Sequence, residues 1–405
     1  MKRSALLLPV LSCASLIALA AIAASCSAAS DDDGDTGGGA GTPGGGGVGG
    51  GFTPGNGGTF GGENCGSSTF GNAVPGSILV VLDRSLSMSG GDGEPDKWAP
   101  TKAALNAMMG SADPALQVGL LPFPAGHFDS SGLLACSLDP SGPGCADLFA
   151  NGGCTDVDPA PVVAVGPLSA TQGPISSWLS SNGPKGNTPT LHALRTGYQI
   201  LRDLDALGER FVLLLTDGEP NVHTPGQVIG PFSIPESNIE CKQLADIEAE
   251  ALAASSGSPP VKTFVIGSPG SEGASEFLSR LAINGLTQRS PTCTADAGDC
   301  HYQIGTSNFQ QELEAALQQI AGAVSDCVFE IPQGNDEVDP NQVNVAVETS
   351  GGTIETYKDP SHQDGWDYTD ASQTKIQLYG PACEAYKAEK GAKVIIVLGC
   401  TTMVK

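Results

Sequence analysis

The chain has 405 residues with 19 basic against 44 acidic side chains, a formal net charge of -25. That balance excludes a nucleic-acid or anionic-lipid face, which needs a dense basic patch. Beyond the first thirty residues no apolar run approaches the roughly 20 residues of a spanning helix. Glycine at 55 and proline at 29 make up about a fifth of the chain, which predicts a flexible tract beside about two folded domains.

Residues 1–25 read as a secretory signal. Lys2 and Arg3 precede an apolar stretch from Ala5 to Ala24 interrupted by Pro9, the charge-then-apolar order of a cleaved export segment. Ala23, Ala24, Ser25 and Cys26 resemble a bacterial lipobox, with Ala23 where Leu is usual; the resemblance implies that Cys26 becomes a lipid-bearing N-terminus. Removing Cys13 with the signal and using Cys26 as anchor leaves an even set of cysteines to pair in an oxidising compartment. A cut after Cys26 leaves the same even set.

Residues 26–75 read as the anchor and a linker. The stretch 34–62 contains 17 glycines in 29 positions and too little aliphatic surface to offset the entropy of ordering. Asp31, Asp32, Asp33 and Asp35 precede it, but no Glu closes a calcium loop at the needed spacing, so they read as a solvated, self-repelling linker start.

From residue 76 to 327 short, wholly apolar runs alternate with helical patterns. Ile78–Leu82, Leu116–Leu121, Phe211–Leu215 and Val261–Ile266 have the texture of strands buried on both faces of a parallel sheet, with Val162–Val165 and Tyr302–Ile304 as edge candidates. Helices are predicted over Trp98–Met109, through Leu191, Leu194, Tyr198 and Leu201, over Cys241–Ala253, and from Ser307 through Phe309, Leu313, Leu317, Ile320 and Val324. This pattern predicts an open, doubly wound, mostly parallel α/β domain, whose ligand site lies beyond the carboxyl ends of its strands.

Two of those strands end in acidic loops: Asp83-Arg84-Ser85-Leu86-Ser87 and Thr216-Asp217-Gly218-Glu219. A third loop, Gly186-Asn187-Thr188-Pro189-Thr190, brings hydroxyls to a helix start. Carboxylates with small hydroxyls are hard oxygen donors, the chemistry of Mg²⁺, Mn²⁺ or Ca²⁺ rather than zinc or copper. Singly, each motif also reads as ordinary loop chemistry: a capped turn, an N-cap before a first-turn proline, an Asp-Gly turn.

Together Asp83, Ser85, Ser87, Thr188 and Asp217 resemble the metal-ion-dependent adhesion site of a von Willebrand factor type A domain, all five in order and without substitution. The resemblance implies that the first and fourth strands lie side by side and that Mg²⁺ is the usual ion. It implies direct ligation by Ser85 and Ser87, direct or water-mediated ligation by Thr188, and largely water-mediated contact from Asp83 and Asp217. It further implies that a Glu or Asp of a protein partner completes the shell, in a non-enzymatic adhesion module. The alternatives are a scaffold whose ion only stabilises the fold, and a phosphatase resembling the haloacid dehalogenase kind. The latter uses Asp-x-Asp-x-Thr, and Ser85 stands where its proton-shuttling Asp would be. The five histidines are scattered, and no zinc-protease pair, serine elbow or phosphate loop occurs.

Two insertions enlarge this domain. One, Ala125–Asp158, holds Cys136, Cys145 and Cys154; the other, Pro220–Glu240, leads to Cys241 and follows the Asp217 loop, where it can shape partner choice. Four cysteines allow two bridges of undetermined pairing. Cys293 and Cys300 are expected to close a short loop, and Cys65 and Cys327 to pair if the domain's ends meet. Over 328–405 the pattern changes to period two, as in Val343, Val345 and Val347 or Val394, Ile396 and Leu398, which predicts a small antiparallel β module stapled by Cys383 and Cys400. Trp366 and Tyr368 read as core aromatics rather than a sugar platform. The order of signal, tether, type A domain and Cys-containing tail resembles exported myxobacterial lipoproteins, implying an outer-membrane or cell-surface location and membrane contact through the N-terminal lipid only.

Overall fold

The computed structural model describes residues 59–405 apart from 91–94, 113–115, 129, 207, 222–227, 230–231, 234–241, 325–326, 332–337, 370 and 390–391. The signal, Cys26, the glycine tract through residue 58 and Cys241 lie outside the described residues. No helix among the described residues is long and apolar enough to cross a membrane.

The described residues open with a hairpin, β1 (Thr59–Phe60) and β2 (Glu63–Asn64), then β3 (Ser67–Phe70) and β4 (Asn72–Ala73). There follow β5 (Ser77–Asp83), α1 (Trp98–Ser111), β6 (Gln117–Phe123), α2 (Ser130–Leu138), α3 (Cys145–Asn151), β7 (Val163–Pro167), α4 (Leu168–Ser181) and α5 (Thr190–Asp203). The same unit continues through β8 (Arg210–Thr216), the short strands β9 (Val228–Ile229) and β10 (Phe232–Ser233), α6 (Leu244–Ser255), β11 (Val261–Gly267), α7 (Ser275–Asn284), β12 (Tyr302–Gln303) and α8 (Phe309–Val324). Last come β13 (Val328–Glu330), β14 (Val343–Thr349), β15 (Gly352–Thr356), β16 (Gly365–Tyr368), β17 (Lys375–Tyr379), α9 (Pro381–Ala388) and β18 (Lys393–Leu398).

The central sheet has the order β12-β11-β8-β5-β6-β7, parallel throughout except for β7, which runs antiparallel to β6. Successive residues of a strand point to opposite faces, so an apolar run is buried twice. Ile78, Val80 and Leu82 pack under α1, α4 and α8, while Leu79 and Val81 pack under α5, α6 and α7. This is the doubly wound α/β architecture. Helices α4 and α7 were not anticipated. The first carries its buried positions Leu168, Thr171, Ile175 and Leu179 among small polar residues and an internal Pro174, which blunts the helical stripe. The helix expected from Cys241 begins at Leu244.

The C-terminal module is antiparallel, but it is not confined to 328–405. Its two four-stranded sheets have the orders β16-β17-β13-β4 and β15-β14-β18-β3, so each takes an edge strand from residues 67–73, the end of the expected linker. Phe329, Trp366, Ile376 and Leu378 of one sheet share a core with Val343, Val345, Val347, Val394 and Ile396 of the other. Trp366 is buried outright, with Tyr368 edge-on at 5.3 Å. Chain segments from both sides of the α/β unit therefore build one β-sandwich.

That topology corrects the cysteine pairing. Cys383 and Cys400 do not bridge each other, nor do Cys65 and Cys327. Cys65 is bonded to Cys400 and Cys327 to Cys383; the first follows from β3 lying against β18, which brings Cys65 to the C-terminal strand. Cys293 is bonded to Cys300 and Cys136 to Cys145, and Cys154 is also disulfide-bonded.

Candidate metal centre

The sheet order reverses at β5: its successor β6 lies on one side and β8 on the other. Leu82 is paired with Leu215, so Asp83 and Thr216 end adjacent strands, and the two acidic loops emerge together at the switch point. Asp83 is fully buried. Its Oδ1 accepts from the Ser85 N–H at 2.8 Å, an Asx turn that starts the loop, and its Oδ2 accepts from Thr216 Oγ1 at 2.7 Å. The next residues, Leu86–Ser89, form a 3-10 turn anchored by the buried Met88. That turn brings Ser85 Oγ and Ser87 Oγ to 3.0 Å of each other, and Ser87 Oγ donates to Asp217 Oδ1 at 2.8 Å.

Thr188 is also buried, and the loop that carries it is tied by its backbone to the Asp83 loop, although its hydroxyl makes no hydrogen bond to the four other residues. The Lys185 N–H donates to Arg84 O at 2.6 Å and the Leu86 N–H to Gly186 O at 3.1 Å, while Thr188 exchanges backbone hydrogen bonds with Asn221. Gly186 has φ +72°, and a Cβ there would lie 2.7 Å from Pro124 Cγ, so the close approach needs glycine. Arg84 points away from the cluster, donating to Ala125 O at 3.3 Å with its guanidinium 5.4 Å from the Trp178 ring. Burial draws its pKa down against the pull of Asp156 and Asp158.

Three neighbours were not among the five expected positions. Thr216 supplies the hydroxyl on Asp83. Lys97, at the start of α1, extends its ammonium to Asp217 Oδ2 at 2.8 Å, a pair with side-chain exposures of 4 % and 2 %. Ser268 donates its N–H to Thr216 O at 2.8 Å, and its buried Oγ has no hydrogen-bond partner among the described residues. Thr216 was legible as a hydroxyl next to Asp217. Lys97 was not, since 120 positions separate it from its partner and nothing local distinguishes it.

The electrostatics follow from burial. The Asp83 carboxyl is pushed up to about 7, first because burial disfavours its charge and second because Asp217 is a like charge; the hydrogen bonds from Thr216 and Ser85 oppose both. With both acids ionised the cluster holds two negative charges against one from Lys97. Access is from the loop side, where Ser87 is exposed and Leu86 is 60 % exposed. A separate cavity of about 590 Å³, lined by His127, Phe128, Cys136 and Cys145 among others, lies in the first insertion and shares no residue with this cluster.

No family model matches the chain, and no curated protein does. Among solved structures it is similar to the pilus adhesin SpaC from Lactobacillus rhamnosus GG, at 15 % identity over 84 % of this chain and 41 % of that one, TM-score 0.41. It is similar to a von Willebrand factor type A protein from Catenulispora acidiphila, at 10 % identity over 84 % of this chain and 60 % of that one, TM-score 0.41. A third likeness is to the vWF domain of a type V pili tip protein from Porphyromonas gingivalis, at 13 % identity over 62 % of this chain and 95 % of that domain, TM-score 0.37. The chain thus spans less than two thirds of the first two.

Proposed function

We propose that this chain is a non-enzymatic, exported lipoprotein, anchored through Cys26 at the outer membrane or cell surface, that binds a protein partner through a divalent cation. Asp83, Ser85, Ser87, Thr188 and Asp217 would hold the ion, with Mg²⁺ the first candidate and Mn²⁺ or Ca²⁺ possible substitutes. The observation that carries this reading is the continuous chain from Thr216 through Asp83 and Ser85 to Ser87 and Asp217 at the switch point. Its side-chain donors are all hard oxygens, and with both acids ionised its charge is net negative, which fits a small divalent cation. When bound, such an ion supplies a Lewis-acidic position for an incoming Asp or Glu. The chain's own residues orient it: Thr216 and the Ser85 N–H fix Asp83, and Lys97 fixes Asp217. Ser87 is exposed, which leaves the ion's position open to a partner's carboxylate, an opening that the scaffold alternative does not need.

The test is calorimetric titration of the purified protein with Mg²⁺ and Mn²⁺, comparing wild type with Asp83→Ala at matched thermal stability. Binding in the wild type that the variant lacks is the expected result. No binding in the wild type would remove the basis for the adhesion reading, and loss of folding on chelation would favour the scaffold.

A further inference from the structure

The cluster contains a cation of its own. Lys97 is buried to 3 % exposure, and its backbone is fixed on both sides: its N–H donates to Met88 O, and its carbonyl accepts from the Thr101 N–H and from Thr101 Oγ1 at 2.7 Å. Asp96 caps the start of α1 through the Trp98 and Ala99 N–H groups, at 2.9 and 3.3 Å. The ammonium is enclosed from above by Gly270 at φ +101°, where a Cβ would lie 2.9 Å from Nζ. A buried ammonium is retained only with a compensating partner, and here that partner is Asp217, one of the five expected ion ligands. The acid therefore has two claimants. Its Oδ2 faces Lys97 and its Oδ1 faces Ser87, the side on which the hydroxyls gather.

We propose that Lys97 is a built-in counter-ion that sets the charge of this centre, holding divalent-cation affinity down and leaving the loaded centre with a spare positive charge for an anionic partner. This rests on the divalent-cation reading above and specifies how that site is regulated. The charge count is short. With both acids ionised, as a bound divalent ion would require, Asp83 and Asp217 with Lys97 sum to one net negative charge; a divalent ion turns this into one net positive, and a single partner carboxylate brings it to zero. Without the ammonium the loaded centre is already neutral and has nothing left to attract a carboxylate. Lys97 thus acts with opposite sign on two steps, opposing the ion and favouring the ligand. A side chain that served only packing would move neither step, or weaken both.

The experiment compares wild type, Lys97→Met, which keeps the apolar stem, and Lys97→Arg, which keeps the charge. Two probes are used: Mn²⁺ alone by calorimetry, and acetate titrated onto the Mn²⁺-loaded protein by water-proton relaxation. Lys97→Met is expected to bind Mn²⁺ about tenfold tighter or more, given the Coulomb interaction of nearby charges in a partly shielded interior, and to take acetate several-fold more weakly. Lys97→Arg keeps the charge but carries a larger head group, and where it folds it should stay closer to wild type than Lys97→Met on both probes. The Mn²⁺-induced rise in melting temperature provides a second readout, larger in Lys97→Met than in wild type even where the metal-free variant is less stable. Unchanged or weaker Mn²⁺ binding by folded Lys97→Met would overturn the inference while leaving the metal site standing. Tighter Mn²⁺ with unchanged acetate affinity would overturn its second half. If neither wild type nor Lys97→Met bound Mn²⁺, the metal site itself would fall and take the inference with it.

Discussion

Thr216 Oγ1 donates to Asp83 Oδ2 at 2.7 Å, tying the last residue of β8 to the last residue of β5. The bond closes the seam between the two strands on which the site depends, and it places a donor on a carboxylate that is fully buried. Thr216→Val keeps the β-branched shape and removes the hydroxyl. Losing a donor to a buried carboxyl costs about 1–3 kcal/mol, so the variant should unfold at lower denaturant with an unchanged m-value. Thr216→Ser should recover most of the difference. Equal midpoints for all three proteins would mean that the bond contributes nothing measurable.

Asp83 also predicts a pH dependence with a definite sign. Burial and Asp217 push its carboxyl up to about 7 in the folded, metal-free protein, while in the unfolded chain it returns to about 4. Between these values the folded state holds a proton that the unfolded state has released, so this group lowers stability progressively as pH rises from about 4 to about 7. In Asp83→Asn that slope should vanish, and the metal-free variant should gain on wild type by at least about 1 kcal/mol between pH 5 and 8. The buried His301, whose pKa burial lowers, contributes to both proteins and cancels in the difference. Asp359 is held well below the usual range by Ser361 and the Asp364 and Gln363 N–H groups, so its contribution is lost only at more acidic pH. Urea unfolding at five pH values checks this; parallel curves for the two proteins would contradict it.

The contrast between Asp83 and Lys97 shows what a linear sequence carries. Asp83, Ser85 and Ser87 follow one wholly apolar run, and Asp217 follows another, so the burial of both strands and the oxygen-rich composition of the loops after them are legible in the sequence. The adjacency of those two strands came from resemblance, and the structure supplies it through the pairing of Leu82 with Leu215. Lys97 is a single basic residue before a helix; only the fold reveals that its ammonium spans from α1 to the end of β8. The same limit explains the cysteines. A period-two pattern locates β14 and β18, but no local feature says that Ser67–Phe70, next to a glycine tract, pairs with β18 and carries Cys65 to Cys400.

The Cys65–Cys400 bridge spans 335 positions, and cross-links over long loops restrict the unfolded chain most, with typical native bridges contributing about 2–4 kcal/mol. The double variant Cys65→Ser with Cys400→Ser should lose about that much stability. The bridge lies in the sandwich, so any divalent-ion affinity of the kind proposed for the Asp83 cluster should be the same in the folded variant as in wild type. Peptide mapping without reduction should recover Cys65 joined to Cys400 and Cys327 joined to Cys383; a Cys383–Cys400 peptide would contradict the topology.

The strongest test of that topology is removal of residues 59–73, the stretch that resembles linker in sequence. These residues do more than lead into β5. Phe60 is buried to 1 % exposure against Ile395, Val397 and the Cys65–Cys400 bridge, β3 covers the edge of β18, and β4 covers the edge of β13. A chain starting at Gly76 would lose the burial of a large aromatic, worth about 2–3 kcal/mol, together with the disulfide. It would also expose two unpaired strand edges, which favour association between chains. Such a chain should melt well below one starting at Thr59 and elute as oligomers in size-exclusion chromatography, with the excess association suppressed when the edge strand is blunted by Ile395→Lys. Equal melting temperatures and a monomer in both cases would show that the sandwich is complete without its N-terminal strands, and that residues 59–73 are linker after all.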